Sequence, residues 1–88
     1  MTSRERARLK SIASTQDTIV QVGKNGITPA LIDSVDVALT ARELIKGKVL
    51  ESSMLTAGEA CRILAEACGA EEVQAIGTKF VLYRKRKD

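Results

Sequence analysis

Between residues 19 and 29 this chain changes conformation twice, and the residues that do it leave few ways to fold. Ile19-Val20-Gln21-Val22 is a short run rich in β-branched side chains, which suits a strand. Gly23-Lys24-Asn25-Gly26 then supplies two residues without a Cβ, so the backbone can turn sharply with its N–H groups exposed. Thr28 and Pro29 open a helix: Thr28 is an N-cap, and proline fits the first helical position, where a missing N–H costs nothing. Ile27, just before the cap, is placed to meet Ile32 as a hydrophobic staple. A strand, a glycine turn and a firmly started helix in succession read as the opening of an α/β unit.

The rest of the chain continues the alternation. Helix one is expected over Ser3 to Ala13, with Ser3 as N-cap and Leu9 and Ile12 inward; strand one covers Thr18 to Val22. On helix two, Leu31, Val35 and Leu39 recur every four residues with Ile32 and Ala38 beside them, leaving Asp33, Asp36 and Thr40 in water. Strand two spans Leu44 to Leu50. Its period of two places Lys46 and Lys48 on one face with Leu44 and Leu50, and Ile45, Gly47 and Val49 on the other. Gly47 is expected to weaken this strand, having no side chain to pack.

Helix three opens with the capping box Thr56-Ala57-Gly58-Glu59, buries Ala60, Ile63, Leu64 and Ala67, and closes at Gly69. Strands Val73 to Ile76 and Phe80 to Arg84 flank the turn Gly77-Thr78-Lys79. The order is α-β-α-β-α-β-β. Strands joined through helices run parallel with right-handed crossovers, and the final hairpin adds one antiparallel strand. The expected fold is a single α/β domain over residues 1–88, a four-stranded mixed sheet packed by helices, with 84–88 as a basic tail. Strand order stays open.

Charge is concentrated at the ends. The net charge is +3. Arg4, Arg6, Arg8 and Lys10 outweigh Glu5 at one end; Arg84, Lys85, Arg86 and Lys87 outweigh Asp88 at the other. The body between them carries six basic and nine acidic residues, so the basic ends favour a polyanionic partner. The bland alternative is that charged termini keep a small protein in solution. No apolar run approaches a membrane-spanning length, and the first ten residues are charged rather than signal-like, which points to the cytoplasm; a monomer is expected. Cys61 and Cys68, seven apart on one helix, are separated by about 10 Å, too far for a disulfide. Without histidine or further cysteines they read as core thiols rather than metal ligands.

The glycine turn is the strongest candidate for chemistry. It joins two glycines, the positive end of a helix dipole and the full charge of Lys24, a combination suited to phosphate. Its spacing is that of neither a Walker loop nor a dinucleotide fingerprint. Asn-Gly is also a common hairpin turn, but here a helix follows. A short G-x-x-G loop that clamps a nucleotide backbone is the device of KH-type RNA binders. Lys46 and Lys48 point the same way from strand two, against the alternative of a solvated strand face. Arg84, Lys85 and Arg86, with Lys87, sit beside the last strand and extend the basic surface; Arg4, Arg6 and Arg8 are explained equally well by an exposed helix face. Phe80 and Tyr83 are the only aromatics, Phe80 in the core and Tyr83 half exposed, so base stacking on exposed rings is disfavoured. With no histidine and with Asp33 and Asp36 on a polar helix face, no catalytic residue, metal site or cofactor is assigned.

Taken together, Val20-Gln21-Val22-Gly23-Lys24-Asn25-Gly26-Ile27-Thr28, Glu43-Leu44-Ile45-Lys46, Val73-Gln74-Ala75-Ile76-Gly77 and Val81-Leu82-Tyr83-Arg84 resemble the CRM domain (chloroplast RNA splicing and ribosome maturation), whose stand-alone bacterial form is called YhbY-like. The resemblance spans nearly the whole chain, with the blocks in order. It departs from the family pattern at Ser14-Thr15-Gln16-Asp17-Thr18, which lacks a histidine and proline, at Gly47, and at the weakly basic Glu51-Ser52-Ser53. The resemblance implies a fold similar to the C-terminal domain of translation initiation factor three, RNA binding through the glycine loop, and association with precursors of the large ribosomal subunit. The site so implied is Gly23, Lys24, Asn25, Gly26 and Thr28, with Lys46 and Arg84 matching basic positions.

The expected function is non-enzymatic binding of ribosomal RNA by its backbone. A protein–protein adaptor that docks on an acidic ribosomal or assembly partner is the alternative, and a small enzyme acting on a phosphorylated metabolite a third reading.

Overall fold

The computed structural model describes residues 1–86; Lys87 and Asp88 of the expected tail lie outside it. Three helices and four strands follow in the expected order: α1 (Ser3–Ala13), β1 (Val20–Val22), α2 (Pro29–Arg42), β2 (Leu44–Val49), α3 (Ala57–Cys68), β3 (Glu71–Ile76) and β4 (Lys79–Tyr83). The sheet order is β1-β2-β4-β3. β1 and β2 are parallel, and β4 runs antiparallel to both β2 and β3. The final strand therefore sits inside the sheet, with its hairpin partner β3 at the edge.

Two apolar layers sandwich this sheet. Val20, Val22, Ile45, Val49, Phe80 and Leu82 form one, closed by Val35 and Leu39 of α2 and by Ala57, Ala60, Cys61, Leu64, Ala65 and Cys68 of α3. The smaller layer on the opposite face joins Leu44, Val73 and Val81 to Leu9 and Ala13 of α1. α1 differs from expectation at its inner side: Ala13 is buried, while Ile12 stays 42% exposed. On α3, Cys61 and Cys68 take inner positions and Ala67 faces solvent. Both thiols are free and buried, and burial pushes Cys61 up to about 12.

The helix starts follow their sequence signals. The Thr28 hydroxyl accepts from the Leu31 amide at 3.1 Å with Pro29 at the first helical position. Thr56 and Glu59 form the reciprocal capping box, and Gly69 closes α3 in the left-handed conformation. The cap of α1 lies one residue earlier than expected: the Thr2 hydroxyl accepts from the Glu5 amide, and Ser3 is already helical. Strand one is shorter than expected, yet the Ile19 amide donates to the Lys46 carbonyl, so pairing runs past its start, and the Leu50 amide donates to the carbonyl of its last residue, Val22. β3 starts at Glu71 rather than Val73 and carries an irregularity between Glu72 and Gln74, which leaves Val73 as the extra residue, buried under α1.

Gly47 overturns the expectation attached to it. It stands directly opposite Phe80, whose ring lies over it so closely that an added Cβ would come within 2.7 Å of Phe80 Cε2. The glycine makes room for the largest fully buried side chain of the core. Its local entropic cost is offset by the aromatic burial it permits.

Candidate nucleic-acid interface

The turn between β1 and α2 is a four-residue β-turn: the Gly26 amide donates to the Gly23 carbonyl at 3.0 Å, and Gly26 has φ 66°. Lys24 and Asn25 are exposed at its tip. The amide supply is smaller than the sequence implies. Gly26 and Leu31 already donate internally and Pro29 has no N–H, while among the described residues the amides of Lys24 and Asn25 show no internal acceptor. The turn borders an open concavity of about 310 Å³ lined by Gln21, Lys24, Asn25, Thr28 and Ser34 together with both glycines, and no carboxylate lines it.

The two glycines differ. Gly26 has a backbone conformation that most residues reach only with strain. Gly23 does not: a Cβ there would meet Leu50 Cδ1 at 3.8 Å and Ser52 Oγ at 4.0 Å, ordinary contacts. Nothing in these contacts demands a glycine at 23.

The other expected site residues do not gather at the turn. Arg84 lies at the opposite end of α2, a helix of 14 residues and hence about 21 Å long. Its guanidinium donates to Asp36 Oδ1 at 2.6 Å, the Cys68 carbonyl at 2.8 Å, and the Asp36 carbonyl and Thr40 hydroxyl at 2.9 Å. Arg86 donates to the Ala41 carbonyl, and its amide to Glu43 Oε2, both at 2.7 Å. Of these acceptors, the Ala41 and Cys68 carbonyls are orphans at the C-terminal ends of α2 and α3, where the helix dipoles favour cations. Lys85 stands exposed beside them. The concavity at this pole, about 820 Å³, mixes Glu5, Asp36 and Glu71 with the basic residues and so does not select for anions.

Lys46 and Lys48 share a sheet face, as their period requires, but it is the face under α1. Lys46 Nζ donates to the Ala13 carbonyl at 3.2 Å, meeting the last turn of α1. Lys48 stands opposite Lys79, a residue that the sequence pattern assigns to a turn. Only the strand order could have revealed that pair. The aromatics fall as expected, Phe80 in the core and Tyr83 half-buried. Among the described residues no group of acidic or sulfur side chains could hold a metal ion, and no helix is long and apolar enough to cross a membrane.

Known proteins match this architecture over its full length. The model of the CRS1 / YhbY (CRM) domain matches residues 1–84, and the chain belongs to that family. It is 34% identical to a Bacillus subtilis protein named "Probable RNA-binding protein YqeI", covering 100% of this chain and 92% of the relative. It is 30% identical to a Haemophilus influenzae protein named "RNA-binding protein", covering 100% and 89%. The solution structure of SAV1595 from Staphylococcus aureus, described as a candidate RNA binding protein, superposes with a TM-score of 0.83 at 39% identity, covering 100% of this chain and 92% of that one.

Proposed function

We propose that this CRM domain is a non-enzymatic RNA-binding protein that grips the RNA backbone through the turn Gly23–Gly26, on precursors of the large ribosomal subunit during assembly. The observation that carries the reading is the open, carboxylate-free concavity at the turn, with Lys24 at its tip. Gly23 supports it, because no internal contact accounts for its missing side chain. The Lys24 ammonium, the amides of Lys24 and Asn25 and the Asn25 side chain are the groups that meet phosphate, while Thr28 fixes the helix behind them. The relatives' names support RNA as the ligand. The ribosomal assignment rests on what the family's name abbreviates, and the protein works in this reading as a cytoplasmic monomer. Arg84 and Arg86 serve the fold.

Neutralising about four phosphates of a single strand gives a log–log salt slope near −3 and a roughly 50-fold loss of affinity between about 50 and 200 mM salt. Fluorescence anisotropy with a ribosomal RNA fragment measures this slope. Gly26→Asp places an anion at the turn in a residue that tolerates left-handed backbone, so the fold survives and RNA binding falls. Gly23→Ala keeps the melting temperature and also weakens binding. A flat salt response, or variants that bind like the parent, would sink the reading.

A further inference from the structure

The sheet face under α1 is only partly covered. α1 lies over Leu44, Val73 and Val81, and the remaining face carries polar side chains together with the exposed Ile76. Across that open part the register aligns Gln21 of β1, Lys48 of β2, Lys79 of β4 and Ile76 of β3 in one row. Three inter-strand spacings make the row about 14 Å long.

The row's central pair is unusual. Like charges directly opposite in an antiparallel pair are destabilising, and Lys48 and Lys79 face each other at such a position. The neighbouring concavity, about 300 Å³, brings Lys10 and Lys46 beside Lys79, with Gln74 and Ser14 as neutral polar groups, and no carboxylate lines it. Lys46 keeps further donors after meeting the Ala13 carbonyl. Uncompensated lysines on an open face are what a polyanion stabilises when it binds. Gln21 supplies the continuity: it sits beside Lys48 in the sheet and also lines the concavity at the glycine turn.

We propose that the sheet face carrying Lys48 and Lys79, with Lys46 and Lys10 at its margin, is a second phosphate-binding surface, reached by an RNA backbone that leaves the glycine turn past Gln21. The proposal rests on RNA being the ligand of the turn. Lysines act as point charges on flexible stems, so this surface holds backbone without reading bases.

The test measures salt slopes for the parent, Lys79→Gln, Lys48→Gln/Lys79→Gln and Lys48→Arg/Lys79→Arg on one RNA. Removing one cation from a phosphate makes the slope shallower by about 0.7, so the double glutamine variant shifts it by about 1.4 and the arginine variant restores it. Relieving the like-charge pair leaves the melting temperature of Lys79→Gln at or above the parent's, which separates weakened RNA binding from a damaged fold. A parent slope near −3 that the glutamine variants keep overturns this inference and spares the turn. A parent with no salt dependence overturns the turn reading and this one with it. Saturable shifts of the Lys48 and Lys79 amide signals on adding inorganic phosphate alone would mark a small-anion site and also overturn the proposal.

Discussion

Phe80 reaches full burial because the residue across from it has no side chain, and the two positions form one packing unit. Gly47→Ala forces the ring off its position, at a cost of about 1–3 kcal/mol for overpacking. Combining it with Phe80→Leu, which vacates ring volume at the point of conflict, should cost less than the two single changes added together, because residues in contact couple. Urea denaturation of the single and double variants measures this, and strict additivity would contradict the packing. The sequence showed a glycine in a strand and so a weak point. Its purpose stayed illegible because it depends on which residue stands opposite, and nothing local to Gly47 encodes that. Gly23 is the reverse case: its conspicuous role in the turn was legible, and the structure adds that its neighbouring contacts do not require it.

Helix starts were the most legible elements, since the signal and the structure it makes lie within four residues. Thr28-Pro29 and Thr56–Glu59 cap α2 and α3 as their side-chain chemistry dictates. Thr56→Ala removes the acceptor for the Glu59 amide and should destabilise the domain by about 1 kcal/mol. The Thr56 backbone hydrogen bond is the first cause holding the Glu59 carboxyl below its ordinary value. A lowered folded value means the contribution is fully present above the ordinary carboxylate range and fades as pH falls through the folded value. The gap between parent and Glu59→Gln in urea melts should therefore narrow in acid and hold steady at neutral pH. The extra residue in β3 and the cap of α1 were not legible. The first depends on how Val73 finds its place beneath α1, and the second on a choice between adjacent hydroxyls, Thr2 and Ser3, that propensity does not separate.

At the scale of the whole molecule, Arg84 ties three elements together. Leaving β4, its side chain crosses to Asp36 and Thr40 of α2 and to the last carbonyl of α3. Arg84→Ala strips the Cys68 carbonyl of this donor, while the Asp36 carbonyl keeps the Thr40 hydroxyl, and should cost about 1.5–3 kcal/mol. Much of that comes from the carbonyl and hydroxyl contacts, since Asp36 is exposed and its ion pair is screened by solvent. Arg84→Lys should recover only part of the loss, because an ammonium cannot span acceptors that a planar fork reaches. Thermal melts of both variants decide the matter, and a lysine variant as stable as the parent would refute the clamp. The basic ends were visible in the sequence as charge alone. Whether a cation is presented to solvent or fastened to a helix end depends on which carbonyls the fold brings within reach.

The placement of β4 has a consequence for how such a protein is made. The fourth strand in chain order must slot between two made before it, β2 and β3, and it brings Phe80, Val81 and Leu82 with it. Until then the nascent chain exposes two unpaired strand edges and an unfilled interior, so the domain becomes whole only once β4 has been made.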